Sequence, residues 1–315
     1  MGICSFILSS IPHHYIMLPF LVGFLVWSGL VWGFLVTDTH VMQVSKTSVM
    51  TMESYRYQAE LLVKDYLLAD PFVPYTSVLC GIFMCKVVYD LTQLISSFYF
   101  KVYASLTTIQ QIEWNNRSMS SAHAFFITTM SLYLLFFSDL YSVRHEELVT
   151  FQSSNISTFI LGVSVGYFIT DLVMIVWLYP LIGGMEYVCH HILSLVAVAY
   201  AMLTGEGQLY TYMVLISEAT TPGVNLRWFL DKAGMKRSNA YLVNGIAMFF
   251  AWLGARIIWF MYLFYHIYVH YDSIIQMHIF GYLLVLVVPA VLSVMNMVWF
   301  GKILRGLRKQ LAKRQ

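Results

Sequence analysis

Glu186, His190 and His191 stand at the start of a long apolar run. An ionisable side chain inside a bilayer is costly unless it faces a cavity or a partner. Glu186 and His190 are four residues apart, so on a helix they share one face. A carboxylate beside an imidazole fixes its tautomer and raises its basicity. Imidazole is also the one group here whose ordinary pKa lies near neutrality and which can act as base or nucleophile. Chemistry, if the chain performs any, is expected at this trio.

The elements that must position it are membrane spans. Of the 315 residues, 59% are hydrophobic and 11% charged, and the mean hydropathy is +0.70. Soluble domains carry about a quarter charged residues, so the composition is that of a polytopic membrane protein. The net charge of +2 says nothing about nucleic acid, since the basic residues are not pooled on one soluble face, and no nucleic acid is expected as a partner. Cys4, Cys80, Cys85 and Cys189 lack metal spacing and read as unpaired small hydrophobes.

Apolar runs of roughly 18 residues or more predict an all-α membrane protein with about eight transmembrane helices. They fall near 16–36, 72–98, 120–138, 157–179, 186–204, 208–229, 240–266 and 279–301. The first reads as a retained anchor. The polar stretch 37–70 reads as an amphipathic surface helix or a linker. Residues 1–70 thus hold an N-terminal anchor helix and amphipathic linker, 71–107 a further transmembrane helix, and 311–315 the end of a basic tail. Lys101, Arg117, Lys232, Lys236, Arg237 and the tail from Lys302 gather on one face. The positive-inside rule puts that face, and both termini, in the cytosol. Asn155-Ile156-Ser157 is then a lumenal sequon and Asn116-Arg117-Ser118 a cytosolic, inert one.

With this orientation the buried polar residues converge in depth. His123, Asp171, His190, His191, Glu218, Asn225, Arg227 and Arg256 come from five spans. At about 1.5 Å per residue they share a slab in the cytosolic half, which implies a cavity opening to the cytosol. Pro222 removes a hydrogen bond just after Glu218, so an unwound segment lining that cavity is expected. Some polar residues have plainer roles. Lys86 and Asp90 neutralise each other at four-residue spacing, and Asn244 and Asn296 read as interhelical hydrogen-bonding residues. Arg256 between Trp252 and Trp259 suits stacking or an acid partner as well as a ligand. His266 and His270, with His278 nearby, form an HxxxH pattern far from His190 and His191 in depth. No metal site is expected.

These residues resemble the TLC-domain family, which includes a translocating-chain-associating protein, the longevity-assurance ceramide synthases and a neuronal ceroid lipofuscinosis protein. The resemblance is carried by Glu113-Trp114-Asn115-Asn116-Arg117 leading to Ser121-Ala122-His123, by Gly166-Tyr167-Phe168-Ile169-Thr170-Asp171 and by His190-His191. Glu218 through Trp228 and Val294 through Trp299 complete it, in order, over about 108–310. The family implies six of the helices forming a TLC-type barrel around a lipid-sized cavity. It implies residence in the endoplasmic reticulum, and membrane lipids, acyl-CoA or a sphingoid base as partners, with a homo-oligomer left open. Ceramide synthases use an adjacent His pair in acyl transfer. Here Ser194 and Leu195 replace the acidic run that follows that pair in those synthases.

Three function classes follow. The first is lipid homeostasis, with a lipid or acyl chain bound or sensed in the cavity and His123, Tyr167, Glu218, Asn225, Arg227, Trp228 and Arg256 as its ligand-binding residues. The second is an acyl-CoA-dependent acyltransferase without a cofactor. There His190 or His191 is base or transient acyl carrier, with Glu186 or Asp171 orienting it. Arg227 and the Lys232–Arg237 loop would then attract the CoA phosphates. The third is a cargo receptor or scaffold of the endoplasmic reticulum.

Overall fold

The computed structural model describes residues 72–141 and 149–312. The expected anchor at 16–36, the stretch 37–70, Arg144 and the last three residues lie outside them. Eleven α-helices are present among the described residues. They are α1 (Val73–Tyr99), α2 (Lys101–Ser105), α3 (Thr108–Phe136), α4 (Asn155–Trp177), α5 (Met185–Thr204), α6 (Gln208–Leu215), α7 (Thr221–Lys232), α8 (Asn239–Trp252), α9 (Trp259–Val269), α10 (Tyr271–Ile274) and α11 (Ile279–Ala312). The described residues contain no strand.

Local sequence explains where the helices begin and end. Thr107 caps α3 by accepting a hydrogen bond from the Gln110 backbone while the Gln110 side chain reaches back to Thr107. Ser154 and Ser157 repeat the device at α4. Ser238 caps α8. Gly205 closes α5 in the left-handed conformation, φ +78°, where a side chain would be strained.

Among the described residues, six helices are long and apolar enough to cross a membrane: α1, α3, α4, α5, the α8–α9 unit and α11. The expected continuous span 208–229 is instead broken. A 3-10 turn, Ile216–Thr220, separates α6 from α7, and Pro222 sits at the first turn of α7. Proline donates no backbone hydrogen bond, so the first turn of a helix is where it costs least. The α8–α9 unit also contains an irregularity, a π-helical turn at Leu253–Ile258.

Around the ring, α3 packs on α4, α4 on α5, α5 on α11, α11 on α8, α8 on α7 and α7 back on α3. That closed circuit of six is the barrel the sequence implied. Helix α1 lies outside it against α4. Its approach is close because Gly81, Gly162 and Gly166 stand at the contact: a Cβ on Gly166 would come 2.4 Å from the Val78 carbonyl oxygen. Small residues let membrane helices approach to backbone contact. On the outer face of α1, Lys86 Nζ lies 2.5 Å from Asp90 Oδ2, the two side chains 70% and 52% exposed. They do neutralise each other.

Apolar packing divides into two large clusters and a small aromatic one. The first joins α1, α3, α4, α5 and α6 around Ile127, Leu161, Phe168 and Tyr212. The second joins α6, α9 and α11 around Tyr210, Leu263 and Leu292. At the end of the barrel that carries Lys101, Lys232 and the α11 terminus, Trp114 is wedged among Phe100, Tyr103 and Phe229. The polar groups of the barrel interior gather near that end.

Candidate functional site

A cavity of about 290 Å³ opens near the basic end, between α3, α4, α5, α7, α8, the π turn and α11. Asp171, His190, His191, Glu218, Asn225, Arg256 and Tyr167 all line it. Convergence in depth, read from the sequence, therefore brought most of the candidates to one place. Its apolar part comes from Phe168, Ile175, Met248, Trp252 and Trp299.

The central contact joins α4 and α5. Asp171, 4% exposed, holds Oδ2 at 2.6 Å from His191 Nε2, and its Oδ1 accepts a 2.7 Å hydrogen bond from Asn116 Nδ2. The Tyr167 hydroxyl lies 3.4 Å from Oδ2 and 3.1 Å from Ser120 Oγ, and its single proton serves one of these acceptors at a time. The His191 Nδ1–H donates to the Tyr187 carbonyl oxygen at 2.9 Å. Both ring nitrogens of His191 thus face acceptors. A doubly protonated ring beside a carboxylate satisfies that geometry, as does a neutral ring beside a protonated Asp171. Either way His191 is fully engaged. His190 is not: its Nδ1 is buried without a hydrogen-bond partner, and its ring packs edge-on to Trp299 and to His191.

Across the cavity the 3-10 turn meets the π turn. Arg256 Nη2 lies 3.6 Å from Glu218 Oε1. Its Nε donates to the Ser217 carbonyl and to Thr220 Oγ1, its Nη1 donates to Asn296, and its plane covers the Trp252 ring at 4.6 Å. Thr221 donates to the other Glu218 oxygen at 2.7 Å. The carbonyl of Ser217 and the hydroxyls of Thr220 and Thr221 come from the 3-10 turn and its junction with α7 ahead of Pro222. The segment before that proline does line the cavity, but as a tightened 3-10 turn rather than the unwound chain expected. π turns recur at functional sites, where the extra residue aims a side chain that an α-helix would turn elsewhere.

Two further pairs lie toward the mouth. Arg117 holds Glu113 at 2.7 Å and donates to Asn225 Oδ1 at 3.0 Å. Asn225 in turn donates to the Arg117 carbonyl and to Ser121, fastening α7 to α3. Lys302, with its side chain 54% exposed, stands 3.8 Å from Glu186.

Several candidates lie elsewhere. Glu186 shares the N-terminal turn of α5 with neither histidine as partner; it points to Lys302 on α11, and the carboxylate that holds a histidine is Asp171. Spacing along one helix favoured Glu186, whereas the partner comes from a neighbouring helix. His123 is fully buried one layer back, stacked on Tyr167 at 3.8 Å with Nε2 3.2 Å from Ser164 Oγ. Arg227 covers the Tyr241 ring at 4.0 Å and reaches Gln310. Trp228 packs edge-on to Trp114 under Arg117. Arg227 and Trp228 follow Asn225 in the helix and so rotate away from the cavity it lines. His266 and His270 stack at 4.1 Å at the far end. Asn244 donates to the Gly223 carbonyl, joining α8 to α7 as expected.

Sequence reasoning missed Asn116, Ser120, Tyr187, Thr221, Trp299 and Lys302. Asn116 was read only as a sequon, although it belongs to the matching run 113–117. Its buried side chain on Asp171 leaves no room for a glycan.

The fold and the site define a multi-pass helical barrel of membrane-spanning length with a cavity among its helices. A profile of the TLC domain matches residues 113–305, and the chain belongs to that family. Among its relatives, TLC domain-containing protein 4-B of Xenopus laevis is 35% identical over 48% of this chain, and that of Danio rerio is 30% identical over 49%. TLC domain-containing protein 4 of Homo sapiens is 28% identical over 65% of this chain and 78% of its own length. The match spans 58% of the Danio rerio protein and 57% of the Xenopus laevis one. No solved structure matches the chain.

Proposed function

We propose that the protein acts in membrane lipid homeostasis by binding a lipid in the barrel cavity, with that cavity facing the cytosol from the endoplasmic reticulum membrane. The observation that carries this reading is the cavity itself, in which a polar floor adjoins a wall of Trp252, Trp299 and Phe168. An amphipathic molecule is the complement of such a surface. A second, smaller cavity of about 40 Å³ runs between α5 and α11 from Ser194 to Gly281. The cytosolic orientation rests on the positive-inside rule: Lys232, Lys236, Arg237, Lys302, Arg305, Arg308 and Lys309 lie at the cavity end.

One observation favours acyl transfer as a second reading. The Asp171–His191 pair beside an unpartnered His190 has the form of an oriented base next to a free imidazole. Native mass spectrometry of the purified protein, with and without hydroxylamine, separates the two. A co-purified lipid that survives hydroxylamine supports binding, whereas a hydroxylamine-labile acyl adduct on His190 supports transfer. Protein free of both refutes the two readings together.

A further inference from the structure

Every full charge at the cavity is already matched. Four acids and four bases pair one to one: Asp171 with His191, Glu218 with Arg256, Glu113 with Arg117 and Glu186 with Lys302. A ligand bearing a net charge would have to displace one of these partners or sit uncompensated among Trp and Phe rings in a low-dielectric setting. Both are costly. What the cavity leaves unmatched is different in kind. The buried Oδ1 of Asn116 and the buried Nδ1 of His190 have no hydrogen-bond partner, and both residues line the cavity. The first is an acceptor only, and the second accepts or donates according to tautomer. Buried polar atoms left without partners are uncommon and call for a group that completes them.

We propose that the ligand is a lipid with an uncharged, hydroxyl- or amide-bearing headgroup, which donates to Asn116 Oδ1 and exchanges a hydrogen bond with His190 Nδ1. The inference rests on the lipid-binding reading above and narrows it. A free phosphate, a carboxylate or an ammonium headgroup is disfavoured, and so, by the same charge argument, are acyl-CoA and a protonated sphingoid base as the resident ligand. The one loose pair does not alter this. Glu186 and Lys302 stand half-exposed at the mouth, where headgroups of surrounding lipids already provide counter-charge.

The test uses the full-length protein in phosphatidylcholine nanodiscs. Two photoactivatable, alkyne-tagged probes with identical acyl chains are compared, a diacylglycerol and a phosphatidic acid, which differ only in the phosphate. Labelled peptides are mapped by mass spectrometry. The diacylglycerol probe is expected to label peptides holding Trp252 or Trp299 at least about tenfold more than the phosphatidic acid probe, a modest ratio given the cost of an uncompensated charge. His190→Leu should lower that labelling severalfold, while the melting temperature reports that the variant is folded. Equal or stronger labelling of the same peptides by phosphatidic acid overturns the uncharged-headgroup inference and leaves lipid binding standing. Labelling confined to outward residues such as Leu79 and Phe83 of α1, with either probe, overturns both.

Discussion

Replacing Asp171 by alanine is the most demanding test of the α3–α4–α5 junction. The carboxylate is buried and receives Asn116 at 2.7 Å, His191 at 2.6 Å and Tyr167 at 3.4 Å. Truncation leaves the imidazole and the amide without their acceptor. Removing one partner of a buried pair costs about 3–5 kcal/mol. At roughly 2–4 °C per kcal/mol for a chain of this size, the melting temperature should fall by about 6–20 °C. Asp171→Asn is the informative comparison. An asparagine at 171 keeps its Oδ1 as acceptor for the Asn116 amide and turns its Nδ2 toward His191. His191, neutral and donating through Nδ1 to Tyr187, accepts from the new amide through Nε2. Asp171→Asn should therefore lose less than half of what the alanine variant loses. Thermal unfolding of both variants in nanodiscs, followed by intrinsic tryptophan fluorescence, measures the two. A shift under about 2 °C for Asp171→Ala, or equal losses for alanine and asparagine, would refute the reasoning.

The other expectations are briefer. Gly166→Leu drives side-chain atoms into the α1 backbone near Val78 and Ile82 and should cost about 1–3 kcal/mol, read as a lower denaturation midpoint. Arg256→Met should destabilise by leaving Glu218 buried and unmatched, and adding Glu218→Gln should recover part of the loss, as a double-mutant cycle in melting temperature would show. Cys189 is exposed and Cys85 buried, so a maleimide should modify the first in the folded protein and the second only after unfolding, mapped by peptide mass spectrometry. In intact microsomes, a cysteine introduced at Gly306 should react with an impermeant reagent and one at Ser273 should not; the reverse pattern would invert the orientation. Lipid profiles of cells expressing His190→Ala should differ from wild type if the cavity governs lipid composition, and identical profiles would count against that role.

Much of this arrangement was legible in the sequence because membrane spans have fixed lengths. Once apolar runs set the depth of each residue, Asp171, His190, His191, Glu218, Asn225 and Arg256 had to lie in one slab, and six of the lining residues followed from that alone. Pro222 after Glu218 signalled the break in the wall. Depth does not determine azimuth. His123 lies at the right level but behind Tyr167, and Arg227 and Trp228 share a helix with Asn225 yet face other neighbours. Pairing between helices was equally hidden. Asp171 meets His191 across twenty residues of sequence, while the closer spacing of Glu186 and His190 produced no contact. The π turn at Leu253–Ile258 left no mark of its own in the sequence, since apart from Arg256 its residues are as apolar as their neighbours.

That π turn has a consequence for how the chain tolerates change. One surplus residue per turn shifts the angular phase of everything after it by about 100°. The cavity half of the long helix, ending in Trp252 and Arg256, and the distal half, with Phe260 and Leu263 buried and Trp259 donating to the Met213 carbonyl at 2.6 Å, therefore answer to separate rotational settings. Deleting one residue within 253–258 would restore a regular helix and force a choice between them: either the guanidinium leaves Glu218, or the distal aromatic face leaves its seat. The bulge works as a phase joint, letting the wall of the cavity and its far-side anchorage drift independently in sequence.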